Sequence, residues 1–564
     1  MGPLTSKAAE ILLNCESKGL APPYVVSEET YQVQKRSFFA RSFPVITKPV
    51  EFRSKDEEIF VVSDLHIAAG KNPAGIYRGT ENFFADEGFS RFLKHADSSK
   101  KTKKAILVLN GDVFDFIRIV DYPGRVRKAR LPKRIKQFLK LNPIKAPAAA
   151  GSALIEEEFR EWNDVLTKIG ISKSIEDLKV ISKKEKRYGL KSHDYKTVWK
   201  LHLIQKGHEE FFNALADWLK KGNKLIILKG NHDVEWFWPA VRNYFRLILA
   251  ERIAGTGSSN TAGVLKEVLP NITFIDDSIV IDEDFYIEHG HRYDKYTMIL
   301  EKPLINPNEL NIPFGSFFNR YLLNRVELFL PYLDNIRPSG NILPVLMREN
   351  FALALKVLFQ HLPFTVRMLF TFDGRYIFFM FKRVFLFVLV LVLPVVLLLL
   401  FNSYYLKNLS FIYPVWSFLK DIYELVTPAF LKEPIINILK GFGSLFLSYI
   451  LARFASWMQL TEPDSLDYYA RERGKNTNYK YLTMGHTHNP GQYRFHGGKL
   501  FYNTGTWIPV IENSNAEIRE DKTYSFLHLE RDGTGKLIPA NNGLLQRWND
   551  DASRGETQIL VQRK

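Results

Sequence analysis

Ile59-Phe-Val-Val-Ser-Asp-Leu-His66 is a short apolar run, rich in β-branched residues, that ends in Asp64-x-His66. Its length and composition predict a buried strand closed by polar residues. Three further stretches repeat the design. Ala105-Ile-Leu-Val-Leu-Asn-Gly-Asp112 ends in Asn110-Gly111-Asp112, with Asp115 three residues on. Lys224-Leu-Ile-Ile-Leu-Lys-Gly-Asn-His-Asp233 ends in Asn231-His232-Asp233, and Phe285-Tyr-Ile-Glu-His-Gly-His291 ends in His289 and His291. Any one of them reads equally as a strand followed by an Asx turn. Together they predict strands that deliver Asp, Asn and His at their carboxyl ends, the edge where open α/β sheets place ligand sites.

Met484-Gly-His-Thr-His-Asn-Pro490 is the fifth stretch, with His486 and His488 one residue apart. A lone H-x-H is most often surface decoration or half of a structural hydrogen bond. After four strand ends of the same kind, it reads instead as two ligands of a shared metal site.

The chain has 564 residues, more than one typical domain, and a formal net charge of +16. Such a charge favours anionic partners: phosphate groups, acidic lipid or nucleic acid. Cys15 is the one cysteine. That excludes an intrachain disulfide and a Cys-based zinc site, and it suits a reducing compartment.

The ordered series D-x-H, G-D-x-x-D, G-N-H-D, H-G-H and G-H-T-H resembles the calcineurin-like metallophosphoesterases. The resemblance covers about residues 56–294 and 464–530. "SDLHI", "KGNHDVE", "EHGHRYD" and "GHTHNP" look most like the branch that contains the UDP-2,3-diacylglucosamine pyrophosphatases, which cut a lipid-linked diphosphate. The phosphoprotein-phosphatase branch continues G-D-x-x-D-R-G, whereas Phe116 and Ile117 follow Asp115 here. The resemblance implies an α/β fold, a four-layer sandwich of two mixed β-sheets flanked by helices.

It also implies residue roles. Asp64, His66 and His488 would hold one divalent metal, Asn231, His289 and His486 a second, and Asp112 would bridge the two. Two such ions clamp the attacking and leaving oxygens of a phosphoryl transfer. A set of oxygen and imidazole ligands without thiolate fits Mn, with Fe or Zn as alternatives. His232 would act on the leaving oxygen, and Asp115 would fix its tautomer. His291, Asp294 and Asn110 are expected to contact substrate or to support the loops that do. Asn503-Thr-Gly-Thr506 follows a strand-like run and is a weaker candidate for the same neighbourhood.

Two insertions interrupt this pattern. The first, about 117–201, opens with Arg118, Arg125, Arg127, Lys128, Arg130, Lys133, Arg134, Lys136, Lys140 and Lys145, against Asp121 alone. It reads either as a solvated basic face or as a surface for anionic headgroups. No nucleic-acid reader motif accompanies it, so nucleic acid is the least favoured partner.

The second insertion, 295–463, separates His289 from His486. Val384 to Leu406 carries no formal charge, long enough for the roughly 20 apolar residues of a membrane span. His289 and His486 are assigned to one metal, so both flanks lie on one side of the bilayer and the number of crossings is even. Gly441–Leu460 is the candidate return. The alternative is a monotopic platform, for which Phe351–Phe372, with Lys356 and Arg367, suits an interfacial helix. The positive-inside tendency places the catalytic side in the cytoplasm, and no signal-peptide pattern is seen in the first 40 residues.

The expected layout is an N-terminal extension (1–55), a catalytic core in two parts (56–294 and 464–545), a helical membrane insertion (295–463) and a tail (546–564). The expected activity is a membrane-associated, metal-dependent phosphoesterase for a phosphorylated lipid or lipid-linked substrate. The alternatives are a tethered phosphodiesterase for soluble nucleotides and a non-catalytic scaffold.

Overall fold

The computed structural model describes residues 7–26, 48–78, 80–124, 148–255, 257–294, 296–298, 304–327, 335–337, 342–357, 359, 417, 466–512 and 517–557. The chain forms two units: Met1–Thr365 with Pro463–Lys564, and Val366–Glu462. Apart from residue 417, the second unit lies outside the described residues, and with it the apolar runs Val384–Leu406 and Gly441–Leu460. The basic stretch 125–147 lies outside them as well. Among the described residues no helix is long and apolar enough to cross a membrane.

The first unit is α/β with mixed sheets. The strands predicted from the sequence form, as β2 (Glu58–Val62), β3 (Ala105–Asn110), β4 (Lys224–Leu228) and β7 (Phe285–Glu288), and β1 (Val50–Phe52), β5 (Ile272–Ile275) and β6 (Ser278–Ile281) join them. One sheet runs β2-β3-β4-β5 in parallel, with Val61 opposite Val108 and Val108 opposite Ile226. Ser525–Arg531 adds to β2 antiparallel. The other sheet has the order β1, β6, β7, Tyr481–Met484, Leu500–Asn503, Gly491–Arg494. In it β7, Tyr481–Met484 and Leu500–Asn503 run parallel.

The apolar runs bury both faces, as parallel strands require. Ile59, Val61, Ile106, Val108, Ile226 and Leu228 meet Ile279, Ile281, Phe285 and Ile287 of the second sheet in one core. The alternate residues Phe60, Val62, Leu107, Leu109, Leu225 and Ile227 face a larger core with Trp162, Trp199, Phe211 and Phe245. Those rings come from the helices Ala148–Lys168, Asp194–Gly207, Glu209–Lys220 and Pro239–Ala254. On its far side the second sheet packs Val280, Tyr286, Leu482 and Met484 against Leu466, Tyr469 and Ala470. The two-residue period of strand side chains produces this sorting.

The separate unit, Val366–Glu462, falls within the stretch 295–463 that the sequence reading set apart as an insertion. The segment Phe314–Glu327 instead belongs to the first unit, where its polar side chains reach into the loops at the strand ends. Ser316 Oγ donates to the Asn231 carbonyl at 3.3 Å, Arg320 Nη2 to the Gly189 carbonyl at 2.8 Å and Asn324 Nδ2 to the Ile117 carbonyl at 2.8 Å.

Candidate metal centre

Because β2, β3 and β4 are parallel, their carboxyl ends share one edge. The loops beyond β2 and β3 stay laced together: His66 N–H donates to the Asp112 carbonyl at 2.9 Å and Ile67 N–H to the Val113 carbonyl at 2.9 Å. The second sheet brings His289 after β7 and His486 after Tyr481–Met484, joined by Gly485 N–H donating to the His289 carbonyl at 2.9 Å.

The turns are unusual in their backbone. Asp64, His66, Asp112, His486 and His488 have φ of 55°, 47°, 50°, 68° and 55°, five of the eleven non-glycine residues with positive φ among those described. This left-handed region costs L-residues of order 1–3 kcal/mol each and persists only where the surroundings impose it. It swings each side chain back toward the loops' common centre. The flanking glycines permit the approach: a Cβ on Gly230 would overlap the Asp112 carboxylate, and one on Gly485 the Asp64 carboxylate.

Three groups of side chains can hold a cation, each with ligand atoms within 4.8 Å of one another: Asp64, His66 and His488; Asp112, His289 and His486; and His66, Asp112 and His232. Asp112 thus stands in the His289 group while lying 3.7 Å from His66 Nε2. His488 Nε2 is 3.4 Å from Asp64 Oδ1 and 3.0 Å from His66 Nε2. His289 Nε2 is 3.2 Å from Asp112 Oδ2.

Neighbouring groups set the orientation of the rings. His289 Nδ1 donates to the Asn110 carbonyl at 2.8 Å, which turns Nε2 inward. His486 Nε2 faces Thr297 Oγ1 at 3.3 Å and Asp294 Oδ2 at 3.4 Å, which turns Nδ1 inward. His289 Nε2 faces the Asp112 carboxylate, while His486 Nδ1 and Asn231 Oδ1 are buried and have no hydrogen-bond partner. Such atoms cost free energy unless something binds them.

The electrostatics agree. Burial opposes ionisation of Asp64, but the charge of His289 and the hydrogen bond and charge of His488 outweigh it and hold the carboxyl below its ordinary range. Asp112 is held well below that range against the same opposing burial, by His289 and His232. His289 is pushed up to about 9: burial opposes protonation, and Asp112 and Asp64 overcome it. A dense anionic centre therefore attracts positive charge.

His232 sits at the rim. Its N–H donates to Asp112 Oδ1 at 2.8 Å, and its Nδ1 lies 2.8 Å from Asp115 Oδ2. His66 Nδ1 is 3.5 Å from the same oxygen, so Asp115 steadies two rings where the sequence reading assigned one. His291 is buried beside His289, ring centroids 5.4 Å apart. Burial first, then the charges of His289 and His486, push it well below its ordinary value. Asn110 is fully buried; its Nδ2 donates to the Glu288 carbonyl at 3.0 Å, so its observed contacts brace the strand end that carries His289.

The structure thus brings together six of the seven expected ligands with His232 and Asp115, carries the buried Asn231 in the same loop as His232, and joins Asp294 to them through His486. It adds Asp233 and Glu327, to which the sequence reading gave no role, places the Asn503–Thr506 turn that reading had named, and buries Arg118, which that reading counted in the basic stretch. Asp233 accepts from Gly230 N–H at 2.6 Å and Val113 N–H at 2.9 Å, locking the Asn231 loop to the Asp112 loop. Thr506 Oγ1 donates to the Asp64 carbonyl at 2.7 Å, and Asn503 Nδ2 to Thr487 Oγ1 at 2.7 Å, so the Asn503–Thr506 turn supports both halves. Arg118 and Glu327 stand behind Asp115. The Asn503 turn carried a sequence signal, a sixth strand end; Glu327 carried none.

Comparison of the chain with protein-family models, with curated proteins and with solved structures finds no match in any of the three.

Proposed function

We propose that the chain is a dinuclear metal-dependent phosphoesterase acting on a phosphoester or diphosphate of a lipid or lipid-linked substrate. The observation that carries the reading is the pair of buried atoms without a hydrogen-bond partner, His486 Nδ1 and Asn231 Oδ1, beside the ionised Asp112 and the His289 Nε2 that faces it at 3.2 Å. Oxygen and imidazole donors of this kind suit a divalent cation. Asp112 reaches toward both His66 and His289, as a residue shared between two ions must. The motif order and its resemblance to the calcineurin-like metallophosphoesterases support the same conclusion, as do the two facing sheets with helices outside them, read as the four-layer sandwich.

Asp64, His66 and His488 would hold one ion, Asn231, His289 and His486 the other, and Asp112 both. Bound there, divalent cations, Mn before Fe or Zn, supply positive charge to the attacking and leaving oxygens of phosphoryl transfer. The chain's own residues do the rest. Asp115 fixes the His232 ring with Nδ1 inward, so Nε2 is presented for proton delivery to the leaving oxygen. Asp294 orients His486, and His291 lines the same wall.

The substrate class rests on the apolar surface. Met347, Phe351, Leu355 and Phe359 recur at every fourth residue and are exposed, while Val345, Leu346, Leu353 and Ala354 of the same segment are buried against Val326. Two short helices, Ile342–Glu349 and Phe351–Lys356, that meet at the non-helical Asn350 and expose apolar residues suit a bilayer surface, and Val366–Glu462 follows in the sequence, carrying the apolar runs. The experiment is to compare lipid diphosphates in anionic vesicles with a soluble nucleotide diphosphate, with Mn present. Preference for the lipid supports the reading. Strong preference for the nucleotide replaces it with a tethered nucleotide phosphodiesterase, and activity on neither leaves a non-catalytic scaffold.

A further inference from the structure

Behind the His232 ring a chain of buried charges leads away from the metal groups. Asp115 Oδ2 is 2.8 Å from His232 Nδ1 and 3.2 Å from Arg118 Nε. Arg118 Nη1 is 2.8 Å from Glu327 Oε2, and its Nη2 donates to Glu327 Oε1 at 3.2 Å. The side chains of Asp115, Arg118 and Glu327 are at most 1 % exposed. Asp115 and Arg118 flank a single turn; Glu327 comes from the segment that follows the His289 motif.

We infer that Arg118 and Glu327 are positioning residues for His232, and that docking of Phe314–Glu327 completes the proton-delivering group. The kinetic part of this rests on the phosphoesterase reading; the geometric part does not. A buried carboxylate needs a compensating charge, and Arg118 supplies one to Asp115. A guanidinium has five donors in a rigid fork. With Glu327 in place the Nη side of the fork is taken up, by Glu327 and by the Thr80 carbonyl, to which Nη1 donates at 3.1 Å. Only Nε then faces Asp115, and Oδ2 remains available to His232. Without Glu327 the fork turns its stronger bidentate face to Asp115 and draws the carboxylate off the imidazole.

The segment is seated for this task. Asn324 and Arg320 hydrogen-bond to the Ile117 and Gly189 carbonyls on either side of Glu327's partner, and Ser316 holds the Asn231 carbonyl. The same segment therefore touches the loops of both the proposed acid and a proposed ligand. Its Asn319–Leu323 turn is a π-helix, a wide turn that recurs at functional sites.

The test uses the full-length protein as Glu327→Gln and as the double variant Arg118→Met with Glu327→Leu. The double variant removes Arg118 and Glu327 together and leaves the Asp115 carboxylate balanced by His232 and His66, so it separates loss of the pair from the effect of one unpaired partner. In 15N-histidine-labelled protein with Mg, the His232 Nδ1–H resonance is identified by its loss in His232→Asn. The expected result is that this resonance weakens or shifts in both variants. Turnover of an alkyl phosphodiester falls about tenfold in kcat with KM unchanged, and that of a 4-nitrophenyl diester, which needs no proton, changes by less than about twofold. An unmoved His232 resonance in the double variant, or equal losses on the two esters, overturns the inference and leaves a structural ion pair. If wild type cleaves neither ester, the phosphoesterase reading fails, and the resonance alone still decides the positioning role.

Discussion

Asp115 Oδ2 lies 2.8 Å from His232 Nδ1, in a side chain with no exposure to solvent. The carboxyl is held far below its ordinary range: burial opposes ionisation, but His232, His66 and Arg118 overcome it. Asp115 is therefore a fixed anion that accepts from the imidazole and keeps the opposite ring nitrogen facing outward.

His232→Ala should retain bound metal and lose on the order of 10²–10⁴ in rate on a poor leaving group, the usual worth of a positioned acid. On a 4-nitrophenyl ester the loss should shrink. Rates measured across a leaving-group series check this. Equal losses across the series would make His232 electrostatic or structural.

Away from the site, His208 links two buried carboxylates, with Nε2 3.0 Å from Glu81 and Nδ1 2.8 Å from Asp86. Glu81 in turn accepts from Ala68, Gly70, Asn82 and Phe83 N–H groups, so the loop that follows His66 hangs on this triad. His208 is raised from 6.5 to about 9; burial opposes protonation, and Glu81 and Asp86 overcome it. The folded value lies above the unfolded one. Its stabilisation is thus full below about pH 6.5 and is lost as pH rises through about 9. The stability difference between wild type and His208→Gln, measured by denaturant unfolding, should shrink between pH 7 and pH 10. A difference that is constant with pH would contradict a charged His208.

Replacing Val366–Glu462 with a short soluble linker should spare activity on an aryl phosphoester and abolish it on membrane-embedded substrate. The replacement stops at 366 because an earlier start would remove Ser316, Asn324 and Glu327 from the centre. Vesicle assays beside a soluble ester check the split. Equal losses on both would mean that the second unit supports the fold instead of delivering substrate. Neutralising Arg127, Lys128, Arg130, Lys133 and Arg134 should weaken turnover on anionic vesicles more at low salt than at high salt.

The strands and the centre were legible because each rests on a local pattern. Ala105–Leu109 is apolar at every position since both of its faces are buried, and Asp112 follows at the strand end where parallel sheets place ligands. What lay between distant segments was not. The Arg118–Glu327 pair joins residues on either side of β4–β7, and nothing near Glu327 marks it. The packing of the start of the second insertion was not legible for a related reason. Phe314, Phe317 and Tyr321 look like membrane residues in sequence, yet they are buried in the first unit, where an aromatic side chain is equally at home.

The most direct measurement is a calorimetric titration of chelator-treated protein with Mn, on wild type and Asp112→Ala, followed by hydrolysis of an aryl phosphodiester by the same samples. Two bound ions and Mn-dependent turnover are expected in wild type, with both ions weakened and turnover abolished in Asp112→Ala, since that carboxylate serves both groups. Wild type that binds no Mn, or Asp112→Ala that turns over at the wild-type rate, would contradict a dinuclear phosphoesterase.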